Sequence, residues 1–217
     1  MQKLRFSSVF WDFGGVITSS PFEAFSNFEL NNNLPKDFIR KVNSTNHKSN
    51  AWAQLEQSKI NLEEFDVLFK KESKSLGYEV SGGQILNLLQ GEIRPKMVNA
   101  LEKLKKENFT LACLTNNFNS GDKNQSALDD INEERTRIMN KFDYIIESKE
   151  LGIRKPDIEF YLKALEISGA DPKKTIFLDD LGINLKPAKE LGMTTIKVLD
   201  SEQALKELSN LVGINFE

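Results

Sequence analysis

The sequence has little of several features that mark particular classes of protein. It contains one cysteine, Cys113, which excludes an internal disulfide framework. No apolar run approaches the roughly 20 residues that are needed to cross a bilayer. The apolar run before Asp12 is also too short for a signal peptide. We therefore expect a cytoplasmic protein with no membrane partner.

Charge of one sign is also lacking. The chain has 29 Lys and Arg residues against 32 Asp and Glu residues, which leaves a formal net charge of -3. A one-sided field is what draws a protein to nucleic acid or to anionic lipid, so we expect neither as a partner. What is present is 217 residues that are 39% hydrophobic, enough to bury a sizeable core.

Five short apolar or β-branched runs predict buried strands. These runs are Ser8–Trp11, Thr110–Leu114, Tyr144–Ile146, Thr175–Leu178 and Thr194–Val198. Helical spacing of leucines lies between the later runs, and Ser201 to Leu211 predicts a C-terminal helix behind a serine cap. Alternating strands and helices indicate an α/β fold, a Rossmann-like three-layer arrangement around a parallel sheet.

Residues 21–94 interrupt this alternation and predict an inserted helical cap, so the core would comprise residues 1–20 and 95–217. Phe22, Phe25 and Phe28 fit one helix, and Phe38, Ile39 and Val42 fit a second. Breaks are expected at Asn31–Asn33 and Ser81–Gly83. A second insertion, residues 119–137, is polar and predicts a solvated loop with a short helix.

Acidic side chains follow two of the predicted strands. Asp12 comes directly after the first strand and precedes a glycine turn, while Asp179 and Asp180 end the fourth. Asp12 taken alone fits a nucleophile, a metal ligand or a turn former. An open α/β sheet gathers its strand ends into one crevice, where crowded carboxylates repel unless a cation neutralises them.

Groups suited to phosphate follow two other strands. Thr115, Asn116 and Asn117 offer a hydroxyl and backbone amides after the second strand, a combination that can cradle phosphate oxygens. Lys155 follows the third strand, and Pro156 behind it suits the first turn of a helix that aims Lys155 at the crevice. A lone lysine is normally a solvated charge, so its role depends on the other strand ends.

Four segments together resemble the successive motifs of the haloacid dehalogenase superfamily. They read DFGGV, LTNN, RKPD and FLDDLGINLKPAKELG and begin at Asp12, Leu114, Arg154 and Phe177. The resemblance implies hydrolysis of a small phosphate monoester with Mg²⁺ as cofactor. Asp12 would attack phosphorus as the catalytic nucleophile, and Thr115 and Lys155 would bind the phosphoryl group.

The resemblance also implies a metal site. Asp12, Asp180 and the backbone carbonyl of Gly14 would hold Mg²⁺, with Asp179 and Asn184 as supporting residues. Oxygen ligands of this kind are the ones that Mg²⁺ prefers.

One position departs from the superfamily's pattern. Its phosphatases usually carry a second Asp two residues after the nucleophile, as general acid and base, and here that position is Gly14. General acid–base help contributes roughly 10²–10⁴-fold, so we expect slow turnover or a substitute acid from the cap. Glu23, Glu29 and His47 are weak candidates for that acid, and His47 lies in a polar stretch typical of solvent exposure.

Three functions remain open. The leading one is a phosphatase, as a monomer or homodimer, acting on a small phosphorylated substrate. A catalytically silent domain that binds phosphate or a protein partner is favoured by Gly14. Halide displacement uses an Asp nucleophile without the second Asp, but it has no need for the acidic pair and ranks last.

Overall fold

The computed structural model describes residues 5–89, 91–117 and 129–216. Among them, five strands form one parallel sheet in the order β3-β2-β1-β4-β5. The strands are β1 Ser8–Trp11, β2 Thr110–Thr115, β3 Tyr144–Glu147, β4 Thr175–Asp179 and β5 Thr194–Lys197. Their ends lie within one residue of the predicted runs, and the predicted α/β fold is confirmed.

Helices lie between and after these strands. Those of residues 21–94 are α1 Phe22–Asn31, α2 Phe38–Ser44, α3 Ala51–Glu56, α4 Leu62–Ser75 and α5 Gly82–Leu86. The others are α6 Pro95–Lys106, α7 Asp129–Met139, α8 Ser148–Leu151, α9 Ile158–Ser168, α10 Gly182–Glu190 and α11 Ser201–Val212. Short 3₁₀ turns cover residues 87–89 and 172–174. None of the described helices combines the length and apolar character that a membrane span needs.

Helices cover both faces of the sheet, and successive side chains of each strand point to these two faces in turn. Val9 and Trp11 of β1 pack into a core with residues of α6 and α11, such as Leu101 and Leu208. Phe10 packs into a second core with residues of α9 and α10. These three layers place the carboxyl ends of β1, β2, β3 and β4 along one edge of the sheet.

Residues 21–94, called the cap below, have a hydrophobic core of their own. Phe25, Phe38 and Ile39 of the two predicted helices pack there with Phe65 and Phe69 of α4. The chain enters and leaves the cap side by side, since Thr18 and Ile93 form an antiparallel bridge. This pairing supports the division into core and cap that we propose from the sequence.

Several local predictions need correction. Asp200, not Ser201, caps α11, because its side chain accepts a hydrogen bond from the Gln203 amide. Pro156 lies two residues before α9 and outside its first turn. Gly82 and Gly83 begin α5 behind a Ser81 capping box, so they start a helix as well as interrupting the chain. Helix α7 lies in the second insertion, and the loop predicted before it lies outside the described residues.

Candidate active site

Asp12 lies at the middle of the carboxyl edge of the sheet. It follows β1, which runs between β2 and β4, and its backbone amide donates to the Leu178 carbonyl at 2.8 Å. The Phe13 amide donates to Asp12 Oδ1 at 2.7 Å, and the residue is 8% exposed. The carboxylate is therefore held in place but remains accessible to a small ligand.

Three carboxylates converge at this point. One oxygen of each of Asp12, Asp179 and Asp180 lies within 4.8 Å of the others. Burial raises the pKa of the Asp12 carboxyl, with Asp179 and Asp180 adding to the rise and Lys155 opposing it. Burial likewise raises the pKa of Asp180 to about 6, again helped by Asp179. A cation between these groups would favour their ionised forms.

Lys155 lies between two of these carboxylates. Its Nζ is 2.9 Å from Asp12 Oδ1 and 2.8 Å from Asp179 Oδ2, and the residue is 1% exposed. Burial alone lowers the pKa of this ammonium, but Asp12 and Asp179 raise it above its usual range. Three carboxylates and one ammonium leave a formal excess of two negative charges. These donors therefore fit a divalent cation that prefers oxygen ligands, such as Mg²⁺.

Asp179 and Asn184 form a rigid support behind Lys155. Asp179 is fully buried and accepts hydrogen bonds from the Leu181 amide at 2.8 Å and from Asn184 Nδ2 at 3.1 Å. The backbone carbonyl of Asn184 in turn accepts a hydrogen bond from the Tyr161 hydroxyl at 2.6 Å. These contacts agree with the supporting roles predicted for both residues, which remain a prediction.

The residues at the end of β2 differ in the contacts that their side chains make. Thr115 is 8% exposed at the end of the strand. The Asn116 side chain forms two hydrogen bonds with the main chain of Lys155. Its Oδ1 accepts from the Lys155 amide at 2.9 Å, and its Nδ2 donates to the Lys155 carbonyl at 3.0 Å. Asn117 bonds Glu147 through its side chain and Ser148 through its backbone amide. Both side chains thus bond other parts of the protein in this structure. The phosphate contacts of Asn116 and Asn117 remain predictions.

The two glycines after Asp12 differ sharply in their surroundings. A Cβ built at Gly14 meets no heavy atom within 4 Å, and the residue lies outside the left-handed region. Gly15 has φ +75°, and a Cβ there would lie 2.2 Å from Asp180 Oδ2. Gly15 is therefore required for the approach of Asp180, whereas Gly14 has room for a side chain.

The candidates for a substitute acid lie elsewhere. Glu29 is buried inside the cap, where its carboxylate accepts hydrogen bonds from the Asp37 and Ile39 amides at the start of α2. His47 is exposed, as predicted. The side chain of Glu23 is outside the described part of the structure. Glu29 is thus committed to the fold of the cap.

Two polar groups that the sequence did not single out approach the site. The Ser20 hydroxyl donates to Asp180 Oδ2 at 3.1 Å. Glu56, the last residue of α3, is buried, and its Oε2 lies 2.8 Å from Arg154 Nη1. Burial raises the pKa of Glu56, although Arg154 opposes the rise. Both contacts depend on how the chain packs, so spacing along the sequence could not reveal them.

Known proteins are similar to this chain over most of its length. Residues 6–192 match the family described as haloacid dehalogenase-like hydrolase. The chain is 34% identical over 218 residues to bifunctional epoxide hydrolase 2 of Mus musculus, covering 95% of this chain and 39% of that protein. It therefore spans about two fifths of the mouse protein.

Two further comparisons extend over nearly the whole of the matched proteins. The chain is 29% identical to sesquiterpene phosphatase astK of Aspergillus oryzae, covering 96% of this chain and 97% of that one. A HAD family enzyme from Bacteroides thetaiotaomicron, solved as a magnesium complex, superposes with a TM-score of 0.63 at 25% identity. That superposition covers 95% of this chain and 98% of the other.

Proposed function

This chain belongs to the haloacid dehalogenase-like hydrolase family, and we propose that it hydrolyses small phosphate monoesters with Mg²⁺ through a phosphoaspartate at Asp12. One observation carries the proposal: Lys155 Nζ bridges Asp12 and Asp179 inside a cluster of three carboxylates. The names of two relatives, a sesquiterpene phosphatase and a glyceraldehyde 3-phosphate phosphatase, support a phosphorylated substrate.

Asp12, Asp180 and the backbone carbonyl of Gly14 would hold Mg²⁺, which when bound neutralises charge on the phosphoryl oxygens. In the first step, an Asp12 carboxylate oxygen attacks phosphorus, and the bond from phosphorus to the ester oxygen breaks. The leaving alkoxide keeps that electron pair and takes a proton from solvent. In the second step, water attacks phosphorus and the bond to Asp12 breaks, which releases orthophosphate.

The remaining residues of the site would position the phosphoryl group and neutralise its charge. Lys155 and the Thr115 hydroxyl would bind phosphoryl oxygens, whose charge spreads in the transition state. Asp179 fixes the Lys155 ammonium through its 2.8 Å contact, and Asn184 fixes Asp179. Because Gly14 offers no carboxyl group, proton transfer to the leaving oxygen is left to solvent, and we expect slow turnover of alkyl esters.

The test is release of orthophosphate from a panel of phosphate monoesters, with Mg²⁺ and with a chelator. We expect release only with Mg²⁺, and none above background from Asp12→Asn, which removes the nucleophile. Asp171→Asn, at a surface turn away from the crevice, serves as the control for the same chemical change. Retention of most activity by Asp12→Asn would contradict the mechanism.

Gly14 also favours a second candidate, a catalytically silent domain that binds phosphate or a partner through the same cluster. Titration calorimetry with inorganic phosphate, read together with the hydrolysis assay, separates the two. Mg²⁺-dependent phosphate binding without hydrolysis of any ester would support the silent domain.

A further inference from the structure

Glu56 connects the cap to the core beside the phosphate-binding lysine. It ends α3 in the cap and is 6% exposed. Its Oε1 accepts a hydrogen bond from Trp52 Nε1 at 2.9 Å, and its Oε2 forms an ion pair with Arg154 Nη1 at 2.8 Å. Asn116 Nδ2 approaches the same Oε2 at 3.5 Å, a longer and weaker contact. A buried carboxylate of the cap thus faces two groups of the core.

Both of those core groups hold the main chain of Lys155. Asn116 bonds the Lys155 amide and carbonyl at 2.9 and 3.0 Å. Arg154 Nε donates to the same carbonyl at 3.2 Å. The Lys155 carbonyl therefore accepts from two side chains, and each of them also approaches Glu56. A displacement of Arg154 or Asn116 would be passed directly to the peptide groups on either side of the Lys155 Cα.

We propose, on the basis of the function proposed above, that Glu56 is a positioning residue through which the cap holds Lys155 in place for phosphate. The physical reason is that a buried ion pair loses most when one partner is removed, because the other charge is left uncompensated. Arg154 is itself mostly buried and would have to move to regain water. Its bond to the Lys155 carbonyl would then be lost.

Glu56 does not replace the acid that is missing at position 14. Its Oε1 is engaged by Trp52 and its Oε2 by the Arg154 guanidinium, so its carboxylate is committed to those two partners. A cavity of about 180 Å³ lies between the cap and the core beside Glu56. It is lined by His47 and Gln57 of the cap and by Arg154 and Pro156 of the core. This cavity gives the Arg154 side chain room to leave its place when Glu56 is neutralised.

The test compares Glu56→Gln with Glu29→Gln, a matched control. Both residues are buried cap glutamates, but the carboxylate of Glu29 bonds only amides of the cap in the described structure. The first readout is hydrogen exchange at the Lys155 amide in the metal-free protein, which is independent of catalysis. We expect faster exchange in Glu56→Gln and wild-type exchange in Glu29→Gln, with thermal unfolding recorded for both.

The second readout is binding of inorganic phosphate in the presence of Mg²⁺. We expect Glu56→Gln to weaken it about tenfold, the lower end of the loss when a group supporting a ligating residue is removed. Mg²⁺ affinity should stay at the wild-type value, since Lys155 is not a metal ligand. Arg154→Gln should reproduce the loss, and the double variant should lose no more than either single variant, because the residues act as one unit.

The outcomes separate the two proposals. Unchanged exchange at Lys155 in Glu56→Gln, equal effects of Glu29→Gln, or additive losses in the double variant would each overturn the role of Glu56. If Glu56→Gln does not fold, the same readouts on Arg154→Gln decide the question. A wild-type protein that binds no phosphate refutes the proposed function, while the exchange measurement still tests how Glu56 acts on Lys155.

Discussion

Replacing Gly14 with aspartate should raise the hydrolysis of alkyl phosphates, because it places a proton donor two residues after the nucleophile. The structure allows the change. A Cβ at Gly14 meets no heavy atom within 4 Å, the backbone is outside the left-handed region, and the residue is exposed. The new side chain therefore enters open space without backbone strain.

The size of the gain follows from two opposing effects. A positioned general acid contributes about 10²–10⁴-fold. A further carboxyl beside Asp12, Asp179 and Asp180 meets repulsion from a cluster that already carries excess negative charge. This repulsion raises the pKa of the new group, which keeps it protonated, but a weaker acid also transfers its proton less readily to the leaving oxygen. We therefore expect a gain of about tenfold to a hundredfold in kcat/KM for alkyl esters.

The assay compares kcat/KM for an alkyl and an aryl phosphate, since this ratio reports the steps up to leaving-group departure. An aryl oxide leaves without taking a proton, whereas an alkoxide needs one. Gly14→Asp should therefore narrow the difference in kcat/KM between the two substrates. Gly14→Asn is the matched control, because it fills the same space without a transferable proton. A folded Gly14→Asp protein that binds Mg²⁺ but shows no gain on alkyl esters, or a gain that Gly14→Asn equals, would refute the reasoning.

Three further predictions concern the metal site. Asp180→Asn should weaken Mg²⁺ binding in calorimetry while Asp171→Asn does not, and equal affinities in the two variants would contradict the ligand assignment. In the wild type, Mg²⁺ competes with protons on Asp180, whose raised pKa is about 6, and on Asp12, whose pKa is also raised. Affinity should therefore fall by about tenfold or more for each pH unit below 6. Gly15→Ala should lower the free energy of unfolding by about 1–3 kcal/mol and weaken Mg²⁺ binding, because of its left-handed φ and its approach to Asp180. Gly14→Ala should do neither, and denaturant unfolding of the two alanine variants compares them.

Much of the core fold could be predicted because its three central strands, β1, β2 and β4, are buried on both faces. In the central parallel strand β1, Val9, Phe10 and Trp11 form a continuous apolar run, and Asp12 is the first charged residue after it. The cap was harder. Helix α3 has six residues, too few for a clear apolar period, and α5 begins with two glycines, which usually indicate a break. Those helices are stabilised by caps and by packing in the cap core, which depend on tertiary contacts.

The site was predictable to the extent that strand ends determine it. Asp12, Asp179 and Asp180 converge because parallel strands bring their carboxyl ends to one edge. The side-chain direction of Asn116 was not predictable, because a residue in a loop can face either the ligand or the neighbouring chain. The contact of Glu56 with Arg154 could not be predicted either, since it depends on how the cap packs against the core.

The electrostatics of the cluster bear on the choice between an enzyme and a silent domain. Burying three carboxylates around one ammonium disfavours their ionised forms, as the raised pKa values of Asp12 and Asp180 indicate. A divalent cation relieves that repulsion, and either function would use it, so metal binding alone does not separate the two. Proton transfer does, because only an enzyme must release a leaving group. Hydrolysis of aryl and alkyl esters, by the wild type and by Gly14→Asp, is therefore the measurement that distinguishes them.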